Sequence, residues 1–121
     1  MNVVFIDIDG VLNNSNTKSM CGDHVGVDST NIRNLKKILN TTNAVLVLTG
    51  SWINNKDDVD YLRKKLGKYG VHIMSTTDDI KNWYKKNDDV VVEKEIVLTS
   101  DIVDKEKGLT ENDVKRILEG R

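Results

Sequence analysis

Apolar residues fall along the chain in two kinds of pattern. Residues 3–6 (VVFI) and 44–48 (AVLVL) are unbroken apolar runs, and they stop at Asp7-Ile8-Asp9-Gly10 and Thr49-Gly50-Ser51. Short runs of this kind predict strands covered on both faces, as in a parallel sheet. Between them Ile32, Leu35, Ile38 and Leu39 recur at helical spacing behind the capping candidates Asp28, Ser29 and Thr30, which predicts a crossover helix. A second helix is expected over residues 57–68, with Val59, Leu62 and Leu66 on one face, followed by a short strand over residues 71–74. A third helix is expected from about residue 77, with Asp78 and Asp79 at its positive end and Ile80, Trp83 and Tyr84 buried. The last strand lies within residues 90–99 and is best formed at Ile96-Val97-Leu98. A final helix opens at Thr110, with Asp113 at the capping-box position and Leu109 placed to staple against Val114.

Strand and helix therefore alternate. This predicts an α/β fold: a three-layer, Rossmann-like open parallel sheet of about four strands with helices on both faces. Ligands in such sheets bind beyond the carboxyl ends of the strands. Asp7, Asp9, Thr49 and Ser51 all fall there.

Length and charge narrow the picture. A chain of 121 residues that is 38% hydrophobic reads as one domain over residues 1–121. At that size a core buries roughly two-thirds of the unfolded surface, so neither disulfides nor a structural metal is required. The single cysteine, Cys21, cannot form an internal disulfide, and no run of cysteines and histidines has zinc-ligand spacing. Eighteen basic residues against nineteen acidic ones argue against a surface that tracks nucleic-acid phosphates throughout, while leaving room for a local basic groove. The start, MNVVFIDIDG, has neither a basic n-region nor a long apolar stretch, so a cytoplasmic protein with no membrane association is expected.

The richest stretch chemically is FIDIDGV. Residues two apart on a strand share a side and lie about 6.6 Å apart, so Asp7 and Asp9 are expected to face one substrate atom. Two such carboxylates repel unless a proton or a cation lies between them, and Mg2+ suits hard oxygen ligands combined with a phosphate. Gly10 lets backbone N–H groups approach an anion.

These residues carry a resemblance. FIDIDGVL resembles the first motif of the haloacid-dehalogenase-like (HAD) phosphohydrolases, and VLVLTGSW resembles their second. IVLTSD with KGLTENDVKRIL is similar to the C-terminal end of a small HAD branch associated with RNA repair, in which a Trp follows the second motif as Trp52 follows Ser51 here. The resemblance implies that Asp7 is the nucleophile and Asp9 the general acid. It also implies Mg2+ held by the Asp7 carboxylate, the Asp9 carbonyl and a third acidic residue. Gly10, Thr49, Gly50 and Ser51 would cradle the phosphate, and Lys81 is the best-placed lysine to steady its charge.

For the third ligand, Asp101 after the strand at Leu98 is favoured if that strand lies beside the first. Asp88 and Asp89, which follow Lys85-Lys86-Asn87 rather than an apolar run, are the alternative, and the absence of a third protein ligand is another. Residues 12–27 occupy the place of a cap domain but are too few and too polar to bury a core, so they are expected to form a flap. Cys21 and His24 lie in this flap, where a histidine is ordinarily solvated. Trp52 is either a packing residue or a platform for a base. An uncapped site favours substrates larger than a buried metabolite, such as a nucleic-acid end or a phosphoprotein, unless a second subunit covers it. The expected partner is a phosphorylated small molecule or a nucleic-acid end, in a monomer or in a homodimer that covers the opening. Two readings follow: a Mg2+-dependent phosphohydrolase acting through an aspartyl-phosphate on a nucleotide or nucleic-acid terminal phosphate, or a degenerate domain that binds phosphate groups or a protein partner without turnover. A receiver-like phosphoacceptor domain would need a lysine closing the last strand, which Leu98-Thr99-Ser100 does not supply.

Overall fold

In the computed structural model, which describes residues 1–120, the elements run β1 (Asn2–Ile6), β2 (Met20–Cys21), β3 (His24–Val25), α1 (Ser29–Thr42), β4 (Val45–Leu48), a 3₁₀ turn (Ser51–Asn54), α2 (Lys56–Gly67), β5 (Ile73–Thr76), α3 (Ile80–Lys86), β6 (Lys94–Leu98) and α4 (Glu111–Glu119). Four of the strands form a sheet in the order β5-β4-β1-β6, parallel throughout. The fold is the expected Rossmann-like α/β architecture, and among the described residues there is no cap domain. None of the described helices is long and apolar enough to cross a membrane.

The side of the sheet taken by each helix follows from strand order and handedness. A crossover between parallel strands is right-handed, so the direction of travel fixes the face on which its helix packs. From β1 to β4 to β5 the chain moves one way, and α1 and α2 lie on one face, where Ile32, Leu35, Ile38, Leu62 and Leu66 pack with Val4, Ile6 and Leu48. From β5 to β6 it moves back across the sheet, and α3 lies on the opposite face, where Ile80 joins Val3 and Val47. After β6, α4 returns to the first face through Leu109 and Val114. The layers are therefore unequal, with three helices on one side and one short helix on the other. Val97 on the thinly covered face stays 51% exposed.

The helix ends follow their capping chemistry. Asp28 accepts the Thr30 N–H at 2.9 Å to start α1, and Asn43 closes it in the left-handed conformation. Asn55 accepts the Asp57 and Asp58 N–H groups to start α2. The predicted Thr110/Asp113 capping box is complete in both directions.

Two elements differ from expectation. The strand expected over residues 71–74 begins at Ile73, because the Val71 N–H still bonds the Leu66 carbonyl as α2 ends. The third helix begins at Ile80 rather than near residue 77, since the Thr77 N–H bonds the Leu48 carbonyl and prolongs sheet pairing. Trp83 and Tyr84 on this helix are only half-buried, as expected for a face with a single short helix over it. The β6 strand falls within the expected residues 90–99 and contains the Ile96-Val97-Leu98 segment. Residues 90–92 instead wrap the amino edge, where the chain N-terminus donates to the Val91 carbonyl at 2.7 Å.

Candidate active site at the carboxyl rim

Sheet register places the first motif between two others. Ile6 pairs with Leu48 on one side and Leu98 on the other, so the residues that follow them, Asp7, Thr49 and Thr99, emerge side by side. Two further bonds hold them there: Asp7 N–H to the Leu98 carbonyl and Thr49 N–H to the Ile6 carbonyl, each 2.9 Å. The crossover from β1 leads to β4 on one side, and the chain later returns from β5 to β6 on the other, so the crevice at the point where strand order reverses lies beside Asp7.

Gly50 meets Asp7 at close quarters. Its backbone (φ 87°, ψ −168°) lies in a region almost restricted to glycine. A Cβ there would overlap Asp7 Oδ1 and lie 3.0 Å from Asp7 Cγ. The second motif thus approaches the first carboxylate through bare backbone, and a side chain would block it. Asp7 Oδ1 also accepts the Ile8 N–H at 2.9 Å, which fixes the rotation of the carboxylate.

Asp9 is not placed by strand alternation. The strand ends at Ile6, and the chain turns at once, with the Val11 and Leu12 N–H groups both bonding the Ile8 carbonyl. The Asp9 carboxylate is instead aimed by two side chains, Asn13, which the motifs did not single out, and Trp52, expected only as packing or as a base platform. Trp52 Nε1–H donates to Asp9 Oδ1 at 3.1 Å, and Asn13 Nδ2–H donates to the same oxygen at 3.0 Å. Asn13 also accepts the Gly10 N–H at 2.8 Å and donates to the Gly26 carbonyl at 3.0 Å, so one buried amide ties the motif loop to the flap. Trp52 is 3% exposed, which makes it a packing and positioning residue and excludes it as an open platform for a base. The available signals were the Asn at the third position after Gly10 and the Trp after Thr49-Gly50-Ser51. Neither residue type announces a hydrogen bond to a carboxylate.

The remaining candidates spread around the rim. Gly10 faces Ser100, with its Cβ position 3.0 Å from Ser100 Cβ, so the loop after β6 closes directly on the first motif. Asp101 is exposed and lines a depression of about 630 Å³ with Asp104, Lys107 and Arg116. Neither Asp7 nor Asp9 lines that depression. Ser51 is exposed at the start of the 3₁₀ turn and caps nothing through its side chain. Lys81 is exposed near the start of α3, just past β5, two strands or roughly 10 Å across the sheet from β1. Asp88 and Asp89 are removed from the rim altogether. They precede β6 and so lie at the amino edge of the parallel sheet, opposite Asp7.

Among the described residues no lysine or arginine forms an ion pair with Asp7 or Asp9. No hydrogen bond reaches Asp7 Oδ2 or the Asp9 carbonyl either. These hard oxygens fit a Mg2+ ion, whereas the side chains of Asp7, Asp9 and Asp101 do not converge as a three-carboxylate cluster.

The flap of residues 12–27 carries the β2–β3 hairpin, which leans on α2. Tyr61 Oη accepts the Val27 N–H at 3.1 Å and bonds Ser19 Oγ at 3.0 Å. His24 is not simply solvated: Nε2 bonds Asp58 Oδ1 at 3.0 Å, and the ring packs edge-on against Trp52 with centroids 5.0 Å apart. The Asp58 carboxylate, backed by the Val25 carbonyl, holds this imidazole above its ordinary value. Burial, together with the hydrogen bond and charge of Asp58, pushes the Cys21 thiol up to about 11.

No curated protein and no solved structure matches the chain. The sequence profile described as "HAD domain in Swiss Army Knife RNA repair proteins" matches residues 3–97, which takes in both motifs, Trp52 and Lys81 but stops before Asp101. With most of its length matched and both motifs meeting at one rim, the chain belongs to the family of HAD domains found in Swiss Army Knife RNA repair proteins.

Proposed function

We propose that this domain is a Mg2+-dependent phosphohydrolase that removes a terminal phosphate from RNA or a nucleotide through an aspartyl-phosphate on Asp7. The observation that carries this reading is the contact of the Asp7 carboxylate with the bare Gly50 backbone, beside an Asp9 carboxylate aimed by Trp52 and Asn13. The family's RNA-repair context supports the choice of substrate class.

In the first step Asp7 Oδ2 attacks phosphorus and the bond to the leaving oxygen breaks, while Asp9 delivers a proton to that oxygen. In the second step Asp9 takes a proton from water, the water oxygen attacks phosphorus, and the Asp7–phosphorus bond breaks to release inorganic phosphate. Thr49, with the Gly50 N–H, lies where charge spreads over the equatorial oxygens, and fixed donors there favour the transition state. The Gly10 N–H is already held by Asn13 and serves by shaping the loop. Ser51 and Lys81 serve the same charge from further out. The Asp7 carboxylate and the Asp9 carbonyl would hold Mg2+, Asp101 would join them as third ligand by turning in from the depression it lines, and the ion would supply charge neutralisation between phosphate and carboxylates. An uncapped rim admits the end of a polymer as readily as a mononucleotide.

The test is hydrolysis of an aryl phosphate and of RNA oligonucleotides bearing 5′- or 3′-phosphates, with and without Mg2+. Turnover that needs Mg2+, disappears in Asp7→Asn and falls in Asp101→Asn is expected. Absence of turnover on all these substrates, with phosphate binding retained, would replace the enzyme by the non-catalytic binding reading.

A further inference from the structure

Cys21, His24 and Asp58 form the one group of three potential metal ligands among the described residues whose donor atoms all lie within 4.8 Å of one another. Two of the three are brought together by the hairpin. Cys21 and His24 are register partners across β2 and β3, joined by the two-residue turn Gly22-Asp23. Directly opposed residues project from the same face of a hairpin with Cβ atoms about 5 Å apart. The third comes from the first turn of α2, held by the Asn55 cap. Asp58 Oδ1 lies 3.4 Å from Cys21 Sγ and 3.0 Å from His24 Nε2.

We propose that Cys21, His24 and Asp58 form a site for a zinc-class transition-metal ion, separate from the hard-oxygen site at Asp7. Zinc bond lengths of about 2.0–2.3 Å in tetrahedral geometry place ligand atoms roughly 3.3–3.6 Å apart. The separations from Asp58, 3.0 and 3.4 Å, lie just below and within that range, and the third lies within 4.8 Å, so small side-chain rotations complete the site. Thiolate and imidazole donors select zinc over Mg2+. His24 already has the arrangement usual for a metal ligand: Nδ1 lies 3.2 Å from the Val25 carbonyl, a bond that fixes the tautomer and leaves Nε2 for the ion. Asp23 and Asp57 add negative charge around the cluster, which draws in a dication and offsets the loss of the thiol proton. The His24 side chain is 43% exposed, so the fourth position opens to water.

A metal here would clamp the flap to α2. It would also fix the His24 ring against Trp52, the residue that aims Asp9. The site itself does not depend on the phosphatase reading.

The test uses the whole chain stripped of metal by a chelator and reduced. Titration with Zn2+ against a chromophoric chelator should show one ion per chain, undisturbed by excess Mg2+. Co2+ should produce a thiolate-to-cobalt charge-transfer band together with visible bands of tetrahedral intensity. His24→Gln, at an exposed position, and Cys21→Ser, checked for folding by circular dichroism, should each weaken zinc binding by on the order of 100-fold. That is the upper end of what losing even an outer-shell partner costs. Zinc should also slow alkylation of Cys21 in the unaltered chain but not in Asp58→Asn. Zinc binding unchanged by both substitutions, or a cobalt complex without the charge-transfer band, would overturn the proposal and leave the cluster as a hydrogen-bonded tether. Because the readouts are stoichiometry, spectrum and alkylation, they stand whether or not the chain hydrolyses phosphate.

Discussion

A single methyl group at Gly50 tests the geometry of the rim. Gly50→Ala puts a side chain on backbone at φ 87°, ψ −168°, which costs about 1–3 kcal/mol. The new Cβ overlaps Asp7 Oδ1, so the carboxylate must swing away and give up the Ile8 N–H bond, about 1 kcal/mol more. The sum is about 2–4 kcal/mol. At a urea dependence of about 2 kcal/mol/M the unfolding midpoint falls by about 1–2 M. If Asp7 is the nucleophile, a displacement of this kind also costs on the order of 100-fold in turnover. Urea unfolding followed by circular dichroism reads the first effect, and Mg2+-dependent aryl phosphate hydrolysis under folded conditions reads the second. Gly67→Ala is the control, since nothing beyond its own stretch of helix lies within 4 Å of its Cβ position at the end of α2, and it should leave stability unchanged or raise it by up to about 1 kcal/mol. A Gly50→Ala protein with an unchanged midpoint and full turnover would refute the close approach. One that is destabilised yet fully active would remove Asp7 from the chemistry.

Trp52→Phe keeps the ring packing but leaves Asp9 Oδ1 with Asn13 alone; hydrogen bonds to a charged group are worth about 1.5–3 kcal/mol, so kcat should fall about 10- to 100-fold with KM little changed. A kcat unchanged in Trp52→Phe but lost, together with stability, in Trp52→Ala would reduce the indole to packing. Asn13→Ala strips partners from the Gly10 N–H, Asp9 Oδ1 and the buried Gly26 carbonyl, and should lower unfolding free energy by about 2–3 kcal/mol; a loss below 0.5 kcal/mol by urea titration contradicts the tie. Burial raises the Asp113 carboxyl, but the N–H groups of Thr110 and Asp104, the Arg116 guanidinium and the Thr110 hydroxyl outweigh it and hold the group below its ordinary 3.8. A depressed carboxyl stabilises the fold above the unfolded value and loses that contribution as pH falls through the folded one. The stability gap between the unaltered chain and Asp113→Asn should therefore be widest above about pH 5 and close below pH 3.8, whereas a gap independent of pH would refute the assignment.

Much of the molecule was legible from residue order, because the signals involved are local. The unbroken apolar runs at residues 3–6 and 44–48, the 3.6-residue spacing through Ile32, Leu35 and Ile38, and the Thr110/Asp113 capping box each specify an element from its own neighbours. A run of apolar side chains dictates a strand covered on both faces. Once the strands are parallel, the acidic motif and Thr49-Gly50 must share one rim, so the location of the site was implicit in the order of residues. Boundaries were less legible: β5 began two residues late because the end of α2 consumed Val71.

Contacts between segments far apart in the chain were not legible. Asp9 follows a strand, and alternation placed it beside Asp7. In the fold the strand stops at Ile6, and the direction of the carboxylate depends on an indole 43 residues away. Asp88 and Asp89 had the letters of a ligand pair, but the crossover through α3 delivers them to the opposite edge. Cys21 and His24 looked like unrelated flap residues until the hairpin register faced them and α2 brought Asp58 between them. Local pattern decides which elements form, since a helix or strand is chosen by side chains within a few positions of one another. Which polar groups meet is decided by packing, because a hydrogen bond or a metal ligand set depends on positions in space to within an ångström, and only the docking of loops and helices onto the sheet supplies those.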